Sequence, residues 1–493
     1  MRIVASTATG NKVIGNYIGT NVNGTADLGN NFSGVIIDAA PNNTVGGTTT
    51  GERNIISGNE EAGVFIVNPA ATRNKVIGNY IGLDVTGTLD LGNTGSGVQI
   101  SNSPNNIIGG ATAGERNIIS GNNGRGIDIL NATATGNKVI GNFIGTDVTG
   151  MIDLGNTSVG VWINGATLNA IGGTTAGERN IISGNNDSGV LVQGNSNKIS
   201  GNYIGTNASG TLALGNSSIG IQINAAGNTI GGTTADERNL ISANENRGID
   251  LGGSSAINNL IIGNYIGSDV TGAVDLGNFT YGISIDRASN NTIGGLTAAE
   301  GNLIFGNDNS GIGLFDLTGF PATSNKILRN SIYNNSRRGI DFYDDGVTAN
   351  DSLDADTGPN NLQNFPVLSC VTSINGSTTI QGTLNSLATT SFRIEFFVND
   401  ACDASGNGEG QTFIGSSNVT TNGSGDATVN ATFAQTIAAG KFITATATRL
   451  DSSNNPVETS EFSACRAVVT PTLTIGKRPS TKETLVRSMQ FSP

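Results

Sequence analysis

The phrase NKVIGNYIG beginning at Asn11 returns at Asn74 and, as NKVIGNFIG, at Asn137, a step of 63 residues each time. Variants follow at Asn197 (NKISGNYIG) and Asn259 (NLIIGNYIG). A second phrase alternates with it: RNIISGN at Arg53, Arg116 and Arg179, RNLISAN at Arg238, and GNLIFGN at Gly301. Each phrase is preceded by a short strand led by glycine, at Gly34, Gly63, Gly97, Gly126, Gly160, Gly189, Gly220, Gly248, Gly282, Gly311 and Gly339, with steps of 28 to 34 residues. A unit this short, built of β-branched runs between Gly/Asn turns, cannot bury its apolar face alone, so consecutive units must stack. The expected product is an all-β parallel solenoid of about eleven coils over residues 1–343. With strands about 4.8 Å apart, it would be roughly 50 Å long.

Aligning the units places one asparagine per coil at a single turn position: Asn16, Asn59, Asn79, Asn122, Asn142, Asn185, Asn202, Asn244, Asn264, Asn307 and Asn330. A side-chain amide both donates and accepts, so copies above and below can satisfy one another inside a turn without water. These asparagines are read as a structural ladder.

Composition narrows the function. The net charge is −13, which repels phosphate backbones and anionic lipid, so no nucleic-acid partner is expected. No apolar stretch approaches the roughly 18 residues of a membrane span. Histidine, the commonest general base, is absent. Cys370, Cys402 and Cys465 all lie in the last quarter of the chain, which suits an exported protein with one disulfide and one leftover thiol. The opening MRIVASTATGNKVIGN enters the repeat mid-unit and reads as a truncated start without an export signal.

Three repeated features are candidate sites. In the glycine-led strands the second and fourth positions are almost all Val, Ile or Leu and point inward, which turns the third toward solvent. The outward column is then Ile36, Phe65, Gln99, Asp128, Trp162, Leu191, Gln222, Asp250, Ser284, Gly313 and Asp341. An exposed indole among amides and carboxylates suits sugar recognition, so Phe65, Gln99, Asp128, Trp162, Gln222 and Asp250 are the candidate carbohydrate face. The other reading is a ring covered by a neighbouring loop. The loops carry Asp84, Asp147 and Asp269, with Asn21 and Asn207 at equivalent places, and then Asp27, Asp90, Asp153 and Asp275, with Ala213 breaking the column. Copies recurring every second coil should stand about 10 Å apart, too far to share one cation. Each acid can either help a calcium site within its loop or cap its own turn. The pairs Glu52/Arg53, Glu115/Arg116, Glu178/Arg179 and Glu237/Arg238 read as stacked ion pairs on the solenoid edge.

After Gly339 the pattern breaks into an acidic linker, residues 344–365. Within it Asp351, Asp354 and Asp356 precede Gly358, an arrangement that can converge on Ca²⁺, although the spacing is not that of an EF-hand loop. Residues 366–467 alternate in an antiparallel style. In SFRIEFFVND, Phe392, Ile394, Phe396 and Val398 share one face, and about seven short strands suggest a small immunoglobulin-like β-sandwich. The tail, 468–493, is expected to be disordered.

The units G-[VI]-x-[IV], N-x-[IV] and G-N-x-I resemble right-handed parallel β-helix repeats, a superfamily that includes pectate-lyase-like enzymes, phage tailspikes and bacterial surface proteins. The wording of the GTDVTG…DLGN loops and NTIGGTTAGERN segments, with FRIEFF…C and TSEFSAC later, is most similar to large bacterial surface proteins with a C-terminal domain after the β-helix. The resemblance implies a right-handed helix and a Cys402–Cys465 bridge, with Cys370 left over. It also implies an extracellular or cell-surface, noncatalytic role as a rigid scaffold for adhesion or polysaccharide binding by a monomer. The rival expectation is a polysaccharide lyase or glycoside hydrolase acting on an acidic polysaccharide. Against it, Asp128 and Asp250 stand four coils apart, about 19 Å, beyond the carboxylate separation of a glycosidase.

Overall fold

The computed structural model describes residues 1–316 and 319–470. The described chain is all-β, with short 3₁₀ turns and no α-helix, and it divides into two units. Among the described residues, the first comprises 1–348, 356–362 and 457–459; the second comprises 349–355, 363–456 and 460–470. Among the described residues no helix is long and apolar enough to cross a membrane.

The first unit is a parallel β-solenoid. Three sheets, of twelve, eleven and eleven strands, each pair every third strand of the chain, so a coil supplies one strand to each sheet. The glycine-led openings each begin a strand of the first sheet, and strand Arg2–Val4 precedes them. Register follows the pattern of the sequence: Val98 pairs with Ile127 and Ile127 with Val161, while Ile100, Ile129 and Ile163 form the next inward row. All six are wholly buried. The leading glycine answers a steric need, since a methyl group on Gly97 would sit 2.9 Å from both Gly126 O and Asn122 Nδ2 of the neighbouring coil.

The polar ordering is richer than one ladder. Three asparagine ladders run along the solenoid, each passing a side-chain N–H to the amide oxygen of the next coil. The first begins Asn11, Asn43, Asn74, Asn106, Asn137 and reaches Asn325, whose backbone N–H donates to Asn360 Oδ1. The second begins Asn16, Asn54, Asn79, Asn117, Asn142, and the third Asn30, Asn59, Asn93, Asn122, Asn156. The single ladder expected from the sequence is therefore two ladders sampled alternately. Asn16, Asn79, Asn142, Asn202, Asn264 and Asn330 belong to the second. Asn59, Asn122, Asn185, Asn244 and Asn307 belong to the third. The reason lies in the phrases themselves. IGN in NKVIGNYIG ends the second-sheet strand Lys75–Ile77, whereas SGN in RNIISGN ends the third-sheet strand Ile55–Ile56, so like letters turn at different corners.

The second unit packs two antiparallel sheets around one core. Strands Val367–Ile374, Ser377–Asn385 and Asp426–Phe433 make one sheet; Ser391–Asn399 pairs with Thr412–Thr420 and Phe442–Leu450 in the other. Val371, Ile380, Phe392, Ile394, Phe396 and Val429 meet between them. Cys402 and Cys465 are joined in a disulfide, Cα atoms 5.9 Å apart, and Cys370 is a free, half-buried thiol. Val469 pairs by backbone hydrogen bonds with Val371 and Ser373. The rest of the expected disordered tail, 471–493, lies outside the described residues.

Candidate functional site

The outward column of the first sheet is in register from Ile36 through Phe65, Gln99, Asp128, Trp162, Leu191, Gln222, Asp250, Ser284 and Gly313 to Asp341. Its acids do not face solvent as expected. Asp128 and Asp250 are each 4% exposed and Asp341 is fully buried. Each sits three residues after an arginine in the repeated phrase Arg-Gly-Ile-Asp, at Arg125, Arg247 and Arg338. The strand geometry brings that guanidinium back over the carboxylate, at 3.8 Å for Asp128, 2.6 Å for Asp250 and 2.8 Å for Asp341. Ser96 Oγ also donates to Asp128 Oδ2 at 2.7 Å. Burial raises all three carboxyls above their ordinary range, and the neighbouring arginine, with Ser96 for Asp128, only partly opposes it.

Trp162 is half-buried. Arg125 lies 3.9 Å from the ring centroid, and the indole N–H donates to Gln193 Oε1 at 2.9 Å. One indole face is thus held by the protein's own cation. Phe65, Gln99 and Gln222 are half-exposed, so the candidate carbohydrate strip retains an accessible surface, but without free carboxylates. Sequence reading missed the arginines, although the threefold Arg-Gly-Ile-Asp phrase was there to find.

The loop acids are turn-builders. Asp84 is buried, and its Oδ1 accepts from the backbone N–H groups of Thr88 and Leu89, at 3.1 Å each. Asp147, Asn207 and Asp269 repeat the arrangement. The loops are not isolated by the two-coil spacing, because Val85 N donates to Gly24 O, Val148 N to Gly87 O, Ala208 N to Gly150 O and Val270 N to Gly210 O. They form a stacked buttress over Tyr80, Phe143 and Tyr203, with Val85, Val148 and Ala208 packed against that cluster.

The second set of loop acids explains a departure in the repeat. Asp27, Asp90, Asp153 and Asp275 occupy the space that a methyl group would need on Gly58, Gly121, Gly184 and Gly306 of the following coil. Where Ala213 replaces the aspartate, Ala243 replaces the glycine. Side-chain volume is exchanged between the two positions.

The Glu/Arg pairs are not ion pairs. Glu52 turns back to accept from the Thr48 and Thr49 N–H groups at 3.1 and 3.2 Å, and Arg53 instead stacks on the Tyr80 ring at 4.1 Å. Arg116 covers Phe143, Arg179 covers Tyr203 and Arg238 covers Tyr265, at 4.1, 4.2 and 3.9 Å. Gly301 and Ser331 stand where the next arginine and aromatic would be, so the two partners are lost together. A planar cation gains more on a ring face than in an exposed pair with a mobile carboxylate.

Of the three acids of the acidic segment, Asp351 and Asp354 belong to the second unit and Asp356 to the first. Asp354 already accepts from Asn364 N and Ser386 Oγ, both at 2.8 Å, and Asp351 accepts from Ala355 N, so the segment is also held by its own hydrogen bonds. Compared with known proteins, the chain matches no family model and no curated protein.

Proposed function

We propose that this chain is a noncatalytic scaffold of the cell surface or extracellular space, a stiff β-solenoid carrying an immunoglobulin-like module. The observation that carries the reading is the state of the acids on the outward column. Asp128, Asp250 and Asp341, the carboxylates best placed to act on a bound polymer, are buried and each is engaged by an arginine. A hydrolase or lyase needs such groups open to substrate. The Cys402–Cys465 bridge supports an oxidising compartment. Within this reading, the half-exposed strip of Phe65, Gln99, Trp162 and Gln222 is the surface offered to a glycan, using the part of the indole that Arg125 leaves open.

Two experiments test it. Incubation with pectin, alginate and similar polymers, with and without Ca²⁺, should release neither new reducing ends nor unsaturated products; either product overturns the noncatalytic reading. On a glycan array, binding that disappears in Trp162→Ala supports the strip. Absent binding, or binding indifferent to the substitution, removes the recognition role.

A further inference from the structure

Five aromatic rings of the solenoid, Tyr80, Phe143, Trp162, Tyr203 and Tyr265, each carry an arginine guanidinium 3.9 to 4.2 Å from the ring centroid. Phe279 carries none among the described residues, and the residue is 68% exposed. It stands in an open groove of about 500 Å³ whose lining includes Ala213, Ala243, Glu245, Asp275 and Asp308 and contains no lysine or arginine. The groove lies where the repeat exchanges its Asp/Gly pair for Ala213 and Ala243, which removes one carboxylate from the corner and leaves a depression. Asp275 and Asp308 face each other across Gly277, each with Oδ1 3.8 Å from where a methyl group on that glycine would lie. At two equivalent corners an asparagine stands in place of Asp308: Asn123, which with Asp90 flanks the same point on Gly92 at 3.5 Å, and Asn186, the matching residue of the coil after Asp153.

We propose that this groove binds a guanidinium group presented by an arginine of a partner polypeptide, stacked on Phe279 and neutralised by Asp275 and Asp308. An exposed ring and unopposed carboxylates attract the same planar cation. Tyr80, Phe143, Trp162, Tyr203 and Tyr265 receive that group from their own chain, whereas the exposed Phe279, set among carboxylates, is open to receive one from outside. Glu245, which also lines the groove, would favour a peptide with a second basic residue. The inference is independent of whether the Trp162 strip binds glycans.

The test is fluorescence anisotropy of a labelled Gly-Arg-Gly-Arg-Gly peptide titrated with the full chain. Phe279→Ala should weaken binding about five- to thirtyfold, the range of a partly desolvated cation–π contact. Its backbone N–H, which donates to Asn244 O, is kept by the substitution. Asp275→Asn/Asp308→Asn should weaken binding at least as much. The charge-matched control Asp27→Asn/Glu60→Gln, at the equivalent corner of the first coils, should leave it unchanged. Arginine amide should compete better than sodium chloride at equal ionic strength. Equal losses in the two charge variants, or an unaffected Phe279→Ala, would show general attraction to an acidic protein and overturn the site. A lysine peptide that binds as tightly as the arginine peptide would overturn the choice of guanidinium.

Discussion

Exchange of volume between Asp153 and Gly184 makes a quantitative prediction. Gly184 has φ of +74°, a conformation that costs an L-residue about 1–2 kcal/mol. A methyl group there would also overlap the Asp153 carboxylate and approach Gly145 O at 2.9 Å. Overpacking of that kind adds about 1–3 kcal/mol, so Gly184→Ala should lose about 2–5 kcal/mol. Asp153→Ala alone loses its bond from Gly155 N, 2.8 Å long and exposed, for about 0.5–1.5 kcal/mol. The double variant reproduces what the chain already contains at Ala213 and Ala243, where Ala243 has φ of +63°. It should therefore recover the overpacking part, leaving the two changes coupled by about 1–3 kcal/mol. Urea denaturation of wild type, both single variants and the double variant, with hydrogen exchange over residues 180–190 to localise the effect, measures the cycle. Losses that add within about 0.5 kcal/mol would refute the exchange of volume.

Asn142 donates from Nδ2 to Ile108 O, Ile140 O and Asn180 Oδ1 and accepts from Asn117, all buried; Asn142→Ala should cost about 3–5 kcal/mol in denaturation, against about 1 kcal/mol for the half-exposed Asn16→Ala at the ladder end. Asp128 and Asp250 have folded-state carboxyls raised by burial, so each binds its proton more tightly folded than unfolded. Their contribution to stability is greatest in acid and is lost as pH rises from about 4 through the folded value. The melting temperature of Asp128→Asn relative to wild type should accordingly improve between acid and neutral pH, and a relative decline would contradict the sign. Calcium held at Asp351, Asp354 and Asp356 predicts a melting temperature raised by added Ca²⁺ and lowered by chelator, and indifference to both removes that site.

The solenoid was legible because its signal is redundant. Eleven glycine-led strands, nearly all with Val, Ile or Leu at the inward positions, leave few other ways to pair, and the outward column read from them is the column observed. What the sequence concealed was which corner a phrase turns. IGN and SGN look alike, and only the sheet assignment separates the ladder of Asn79 from that of Asn59. Solvent exposure was harder still. Alternation gives the side of the sheet on which Asp128 points, but not that Arg125, three residues earlier, folds back over it. The same limit applies to Glu52 and Arg53. Adjacent opposite charges invite an ion pair, yet Glu52 closes the 3₁₀ turn Thr50–Glu52 and Arg53 leaves it in extended backbone, so one side chain returns to Thr48–Thr49 and the other lies on Tyr80. Paired losses inside the repeat, Ala213 with Ala243 and Gly301 with Ser331, did carry that information and can be read without coordinates.

In-register stacking of coils is tested most directly by spin-label distances. Nitroxides placed at the exposed, equivalent loop positions Thr25, Thr88 and Thr211, in a Cys370→Ser background, mark coils one, three and seven. Continuous-wave broadening should give about 10 Å for Thr25–Thr88, and pulsed electron–electron resonance about 19 Å for Thr88–Thr211 and about 29 Å for Thr25–Thr211, linear in coil number. Distances that fail to grow in proportion to the number of intervening coils would contradict the stacked architecture from which every site above is derived.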